Sequence, residues 1–257
     1  MRSKHLIAAV GLFAAMAWVA GNAQAAPKKL LAFTLSAGFK HDTATPSADY
    51  LKAWTAKSKD IEVTATEDPS FITPENLKKF DGIYFYTTGD LPIPEPARVA
   101  LLDWIKSGKG FIGVHSATDT YHNWKPYIDM IGGEFQTHGP QVQVKIHAVD
   151  PKHPAGKPVP EGWTFTEEIY EHKNFDPKKE HVILALNEHP QTKAPMMFPI
   201  SWCHMYGKGR VFYTALGHRK DMWDSPIFQA HLMGGIRWAL GLAKGDAKPG
   251  NTVPKSG

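Results

Sequence analysis

Short apolar runs alternate with longer amphipathic segments through the first half of the chain. The apolar runs have the length of buried strands, and the segments between them place apolar residues three or four positions apart, as one face of a helix requires. Such alternation predicts βαβ units built around a parallel sheet. The predicted strands are 28–35, 61–66, 82–88 and 110–114, and the predicted helices are 45–59, a short helix starting at Thr73-Pro74, and 94–109.

The alternation of strands and helices stops after residue 140, where four predicted strands follow one another with little helix between them. These strands are 141–149, 163–170, 182–187 and 200–206; a further buried strand, 209–216, precedes a helix at 226–244 that Ser225 caps. The pattern predicts one α/β domain over residues 26–244 with an antiparallel-leaning insertion at roughly 140–207. The Lys/Gly/Pro-rich residues 245–257 are predicted to be a disordered tail.

The N-terminal segment has the pattern of a secretory signal. Arg2 and Lys4 precede an apolar run at 6–20, and Ala23-Gln24-Ala25 forms an A-x-A cleavage site. An uncleaved anchor is the alternative, but the apolar run is shorter than the roughly 20 residues that a bilayer requires. We therefore expect residues 1–25 to be removed and the mature protein to be periplasmic or secreted. No later stretch is long and apolar enough to predict a membrane span.

Composition narrows the range of partners. The 257-residue chain has a formal net charge of +4, which falls to about +2 without Arg2 and Lys4, and it carries no basic stripe, so a nucleic-acid partner is not expected. The single cysteine, Cys203, excludes an intrachain disulfide and is interpreted as a small core residue.

Histidines follow three of the predicted parallel strands. His41 lies in the loop after the first strand, His115 comes directly after 110–114, and His218 follows 209–216. Because ligands bind beyond the carboxyl ends of parallel strands, we expect the three imidazoles to lie at one edge of the sheet. Such a cluster suits a divalent metal ion, zinc or similar, or acid–base chemistry near neutral pH.

His115 stands where a nucleophile elbow would place its reactive residue. In that turn a strand is followed by one reactive residue and then by small residues. Here Gly113-Val114 end the strand, His115 is the single residue, and Ser116-Ala117 are the small residues. Here the elbow residue is histidine, and Ser116 is one position further along. Cys203 and its neighbour His204 would point to opposite faces of a strand, so an amidase with a protein nucleophile is disfavoured.

Other polar and aromatic residues complete the candidate site. Asp119 and Glu168 are the candidate general bases or orienting carboxylates, with Glu167 as an alternative to Glu168. His138, in the turn-rich segment 132–139, is a candidate substrate contact. Aromatic rings near His115 and His218 in sequence are candidates for stacking on a sugar, with packing beneath the site as the alternative interpretation; they are Tyr121, Trp124 and Trp223.

Taken together, these segments resemble the ThuA-like (trehalose-utilisation) family. The resemblance covers residues from about 29 to 242, and its most specific part is the run Gly209–His218. The other matching pieces are Gly38-Phe39-Lys40-His41-Asp42, Gly113–Asp119, Gly132-Gly133-Glu134-Phe135 with His138, Asp150 with His153-Pro154, and Glu167-Glu168-Ile169-Tyr170. The family more often has Asp-Glu at Glu167-Glu168 and His-Pro where this chain has His138-Gly139-Pro140.

The resemblance implies a three-layer, flavodoxin-like (glutamine-amidotransferase-like) fold without the amidotransferase nucleophile. It also implies a link to the uptake and breakdown of disaccharides and keto sugars, with metal binding in some members and no nucleotide cofactor. The leading hypothesis is an exported enzyme acting on a (keto-)sugar or glycoside by hydrolysis, elimination or isomerisation, with an ion on His41, His115 and His218. The alternative is a non-catalytic periplasmic module that binds a sugar or a partner.

Overall fold

The structure is a computed structural model that describes residues 26–252. Five parallel strands form one side of a nine-stranded sheet, in the order β2-β1-β3-β4-β11 with β2 at the edge. Their buried apolar side chains explain the continuous hydrophobic runs of the sequence, because a parallel sheet is covered on both faces. Their bounds are β1 Lys28–Phe33, β2 Ile61–Thr66, β3 Gly82–Phe85, β4 Gly110–Val114 and β11 Gly209–Thr214.

Antiparallel strands extend the sheet beyond β11. They follow in the order β10 (Pro195–Tyr206), β9 (His181–Glu188), β6 (Val142–Ala148) and β7 (Trp163–Glu167). A separate antiparallel pair joins β5 (Glu134–His138) to β8 (Tyr170–Lys173). The antiparallel-leaning insertion predicted at roughly 140–207 is therefore present.

Helices flank the sheet, and two of them begin at the capping residues that the sequence predicted. Thr73 accepts a hydrogen bond from the backbone of Asn76 ahead of Pro74, and Ser225 accepts one from Phe228 ahead of Pro226. The helices are α1 Ala44–Ser58, α2 Pro74–Leu77, α3 Glu95–Lys106, α4 Lys125–Ile131, α5 Lys220–Trp223 and α6 Pro226–Ala239. The mostly parallel sheet with flanking helices confirms the predicted α/β fold.

Three segments differ from the sequence-based expectation. The predicted strand 163–170 is interrupted between β7 and β8, and the predicted loop 132–139 contains β5. Part of the predicted disordered tail, residues 245–252, lies against β9: Asn251 exchanges two hydrogen bonds with the backbone of Val182, and the backbone N–H of Gly250 donates to Glu180. Composition does not reveal such backbone pairing, since it depends on a strand distant in sequence.

Two further expectations concern the chain ends and membrane spans. The predicted signal peptide, residues 1–25, and the last five residues, 253–257, lie outside the described residues. Between residues 26 and 252, no helix has both the length and the apolar composition needed to cross a bilayer.

Three histidines away from the candidate site have lowered pKa values; His153 and His231 are fully buried, and His172 is half-buried. Burial lowers the pKa of His153 and of His231 to about 4, and that of His172 to about 3. His231 donates from Nδ1 to the carbonyl of Ala155 at 2.7 Å and faces the Thr214 hydroxyl at 3.0 Å with Nε2. Each ring is thus held in its uncharged form by the fold.

We expect the free energy of unfolding to fall as the pH decreases from about 6.5 to about 4. The folded pKa values lie below the unfolded value of 6.5, so the unfolded chain takes up protons first and stability is lost on the acid side. Each pKa unit corresponds to about 1.4 kcal/mol, so the loss should reach several kcal/mol. Guanidinium unfolding at a series of pH values measures it. His231→Gln, which keeps a donor and an acceptor but does not titrate, should make the dependence shallower; an unchanged slope would contradict this origin.

Candidate functional site

Three loops at the carboxyl ends of parallel strands carry histidines to one place. His41 follows β1, His115 follows β4 directly, and His218 follows β11. With Glu168, these residues form a group, here called the histidine–glutamate cluster, whose potential ligand atoms all lie within 4.8 Å of one another. The structure therefore brings together the three histidines expected at this edge of the sheet.

His115 occupies the elbow in a left-handed backbone conformation, with φ at 46°. Such a conformation is costly for a residue other than glycine, and the surrounding structure holds it. The hydroxyl of Tyr213 donates to the His115 carbonyl at 2.7 Å, and the ring Nδ1–H of His115 donates to the carbonyl of Ala215 at 2.8 Å. Because Nδ1 carries the proton and burial lowers the pKa of this imidazole, Nε2 presents a lone pair to the cluster.

Glu168 reaches the cluster because the chain turns between two strands. β7 ends at Glu167 and β8 starts at Tyr170. The Glu168 Oε2 atom lies 3.4 Å from Nε2 of His115 and 3.1 Å from Nδ1 of His218. Burial favours the neutral acid, but the two imidazoles outweigh it and hold the pKa of Glu168 well below its ordinary value. The same contact raises the pKa of His218 against the effect of burial.

The donor atoms of the cluster fit a cation. The lone pair of His115 Nε2 and the Glu168 carboxylate face each other, an arrangement that a positive charge between them stabilises. His41 is buried with an Nδ1 atom that has no hydrogen-bond partner among the described residues, and burial, aided by the nearby imidazoles, lowers its pKa to about 3. Imidazole nitrogens and a carboxylate oxygen are typical ligands of zinc and similar ions. His41, His115, Glu168 and His218 could hold such an ion.

Glu167 supports the loop that carries His218. Its Oε1 atom accepts a hydrogen bond from the backbone N–H of His218 at 2.7 Å, while its Oε2 atom is buried without a partner among the described residues. Burial raises the pKa of Glu167 to about 7. The two adjacent glutamates, considered as alternatives from the sequence, therefore have separate positions: Glu167 lies behind the loop, and Glu168 faces the histidines.

His138 and Tyr170 border the cluster. His138 lies at the end of β5, partly exposed, with Nδ1 at 3.3 Å from Oε1 of Glu168. Its ring stacks on Tyr170, whose hydroxyl lies 3.3 Å from Nε2 of His41. The sequence predicted that His138 lies near the site, and in the structure it contacts Glu168. Tyr170 belonged to a matching segment but was assigned no role, because its orientation depends on the pairing of β5 with β8.

Asp119 has a different partner from the one expected. A 3₁₀ turn from His115 to Asp119 carries this carboxylate toward the segment before α4. There its Oδ1 atom lies 2.5 Å from Nε2 of His122, whose Nδ1 atom contacts Glu134 at 2.8 Å. Asp119 thus belongs to a second group of charged residues, and its contacts do not place it among the ligand atoms of the histidine–glutamate cluster.

The three aromatic residues expected to stack on a sugar instead pack within the protein. Tyr121 is 1% exposed, its hydroxyl donates to Leu91, and the guanidinium of Arg98 covers both its ring and that of Trp124 at about 5 Å. Trp223 is 2% exposed. Tyr121 and Trp223 therefore offer no ring face to a ligand, and Trp124 is half-buried with Arg98 over its ring. These contacts indicate a role in local packing.

The structure shows no activated nucleophile at the elbow or in β10. The Ser116 hydroxyl is buried without a hydrogen-bond partner among the described residues. Burial raises the pKa of the Cys203 thiol well above its ordinary value. Its neighbour in space is Nε2 of His153 at 3.8 Å, and Nδ1 of that ring accepts from the backbone of Ala155, so the proton lies on the side facing the sulfur. Such a histidine cannot serve as the base for this thiol.

Comparisons with known proteins agree with this architecture. Two solved thua-like proteins are similar in structure, each with a TM-score of 0.70. The one from Bacteroides uniformis is 22% identical and the match covers 86% of this chain and 94% of that one; for the one from Parabacteroides merdae the values are 19%, 83% and 90%. A cytoplasmic protein of Salmonella typhimurium matches with a TM-score of 0.56 and 13% identity, over 82% of this chain and 98% of that one.

At these identities the structural likeness concerns the fold alone. No curated protein matches the sequence. The family profile described as "ThuA: Trehalose utilisation" matches residues 29–239, which is most of the chain. The protein therefore belongs to the ThuA, or trehalose utilisation, family.

Proposed function

We propose that the protein is an exported enzyme that acts on a (keto-)sugar or glycoside with the help of a divalent ion held by His41, His115, Glu168 and His218. The observation that carries the proposal is the convergence of three imidazoles and one carboxylate within 4.8 Å. Membership in the trehalose utilisation family supports a carbohydrate substrate. The basic, apolar and A-x-A pattern of residues 1–25 supports export to the periplasm or the medium.

The proposed chemistry follows from the positions in which the fold holds these side chains. A bound divalent ion supplies Lewis-acid polarisation of a sugar carbonyl or hydroxyl. The hydrogen bond to the Ala215 carbonyl keeps His115 in one tautomer. The hydrogen bond from the backbone N–H of His218 to Glu167 keeps His218 in place. Outer partners of this kind orient metal-binding side chains.

A partly exposed imidazole stands beside the buried cluster. His138 contacts Glu168 from the solvent side, and 42% of its side chain is exposed. Histidine is the side chain that most often serves as a general acid or base, and we assign to His138 the proton transfer to or from a bound sugar. This assigns the acid–base role to His138, with Glu168 among the ion's ligands. Hydrolysis, elimination and isomerisation of a keto sugar all require such a proton transfer.

Metal analysis combined with turnover tests the proposal. Protein recovered from the exported fraction is analysed by mass spectrometry for bound metals before and after treatment with a chelator. Both samples are then assayed on trehalose and its 3-keto derivative. We expect about one divalent ion per chain, loss of turnover with the ion, and recovery on adding it back.

Two results would contradict the proposed function. Full turnover in metal-free protein would exclude the ion from the reaction. Sugar binding without turnover, unaffected by the chelator, would instead identify a non-catalytic binding module.

A further inference from the structure

An open cleft of about 560 Å³ borders the histidine–glutamate cluster. His41 and His218, two of the four residues of the cluster, line it. Phe39 lines the same cleft, with its ring centroid 4.9 Å from that of His41 and in an edge-on orientation. This volume lies within the range of small-molecule sites in proteins.

The ring of Phe39 is exposed, although its backbone is tightly held. Phe39 is 67% exposed, the highest value among the large apolar residues of the described chain. The hydroxyl of Thr88 donates to the Phe39 carbonyl at 2.7 Å, and the backbone N–H of Ala37 donates to Thr88 at 2.8 Å. Gly38 packs so closely on Gly89 that an added Cβ would lie 3.3 Å from its nitrogen. An exposed aromatic ring on a fixed backbone is preorganised for binding.

Four of the five lysine, arginine and aspartate residues that line the cleft form ion pairs, and Lys40 leaves a net positive charge. Arg219 donates to Asp221 with two nitrogens, at 2.9 and 2.8 Å, and to Oε1 of Gln141 with a third at 2.7 Å. Lys220 lies 3.6 Å from Asp42. These carboxylates and donors offer hydrogen bonds to the hydroxyl groups of a sugar.

We propose that Phe39 is a stacking platform for the ring of a neutral sugar, whose hydroxyls contact Arg219 and Gln141 while its reacting carbon lies over the cluster. The inference rests on the proposed function for the class of ligand. It adds the residue that selects an apolar sugar face. The face of a pyranose ring is apolar and flat, which matches an exposed phenyl ring.

The test compares sugar binding by four proteins. The probes are trehalose and glucose, titrated into the millimolar range by calorimetry or ligand-observed NMR. The proteins are the wild type, Phe39→Ala, Phe39→Tyr and Val99→Ala, the last removing an exposed apolar side chain on α3. We expect the wild type to bind at least one of the two sugars. Phe39→Ala should weaken that binding about fivefold to tenfold, while Phe39→Tyr and Val99→Ala bind as the wild type does.

Two results would overturn the inference. The first is that the wild type binds neither trehalose nor glucose, and the second is that Phe39→Ala binds with the same affinity as the wild type. Metal content, measured on the same samples, separates this inference from the proposed function. Phe39-dependent sugar binding by a protein that takes up no metal would refute the proposed function alone. Metal-dependent turnover that is unchanged in Phe39→Ala would refute the stacking role of Phe39 but not the proposed function.

Discussion

Replacing His115 by asparagine is expected to lower the affinity for zinc by more than about 100-fold, the upper range seen when only an outer partner of a ligand is lost. The substitution removes the Nε2 lone pair that faces Glu168 and His218. Asparagine tolerates the left-handed backbone at φ 46°. Competition with a chromophoric chelator measures the affinity, and thermal unfolding with and without zinc measures the stabilisation by bound metal.

The choice of asparagine follows from the structure. Alanine would spare the fold if the His115 side chain faced an open crevice. His115 is instead 0% exposed and bonded to Ala215, so alanine would also leave a cavity and strained backbone. Glu168→Gln, which keeps the shape of the side chain but removes its charge, should cause a similar loss of zinc.

The matched control is His122→Ala. His122 also contacts two carboxylates, those of Asp119 and Glu134, but it lies outside the histidine–glutamate cluster. This variant should bind zinc as the wild type does. If His115→Asn and Glu168→Gln both keep their zinc affinity, or if His122→Ala loses it, the cluster is not the metal site.

Replacing Glu167 by alanine is expected to lower the melting temperature by roughly 6–12 °C. The buried carboxylate accepts the backbone N–H of His218, and its removal leaves that donor unsatisfied beside a new cavity. Losing a buried acceptor and its packing costs about 3 kcal/mol, and each kcal/mol lowers the melting temperature by about 2–4 °C in a domain of this size. Thermal unfolding by circular dichroism or calorimetry measures the shift.

Glu167→Gln separates hydrogen bonding from charge. Glutamine retains an acceptor for His218 without a buried charge, so this variant should melt within a few degrees of the wild type. Glu171→Ala, which removes a partly exposed glutamate of β8, serves as the matched control and should change the melting temperature little. An unchanged melting temperature in Glu167→Ala would show that the loop carrying His218 does not depend on this carboxylate.

The sequence alone was sufficient to predict the fold class and the position of the histidines at the edge of the sheet. The strands predicted at 61–66 and 110–114 have those bounds in the structure, and Ser225 caps α6 as expected. These features depend on local pattern: the period of apolar residues reports burial, and capping residues act within one turn. His115 and His218 could be placed because residues that follow parallel strands meet at one edge whatever the details of packing.

Side-chain directions required the tertiary structure. Tyr121 and Asp119 are close to His115 in sequence, yet the 3₁₀ turn and the packing of Arg98 give them other partners. Glu168 joins the cluster because β7 pairs with β6 while β8 pairs with β5, and the chain must turn between them. A single-sequence pattern reports whether a residue is buried, but contacts between distant segments decide what it faces.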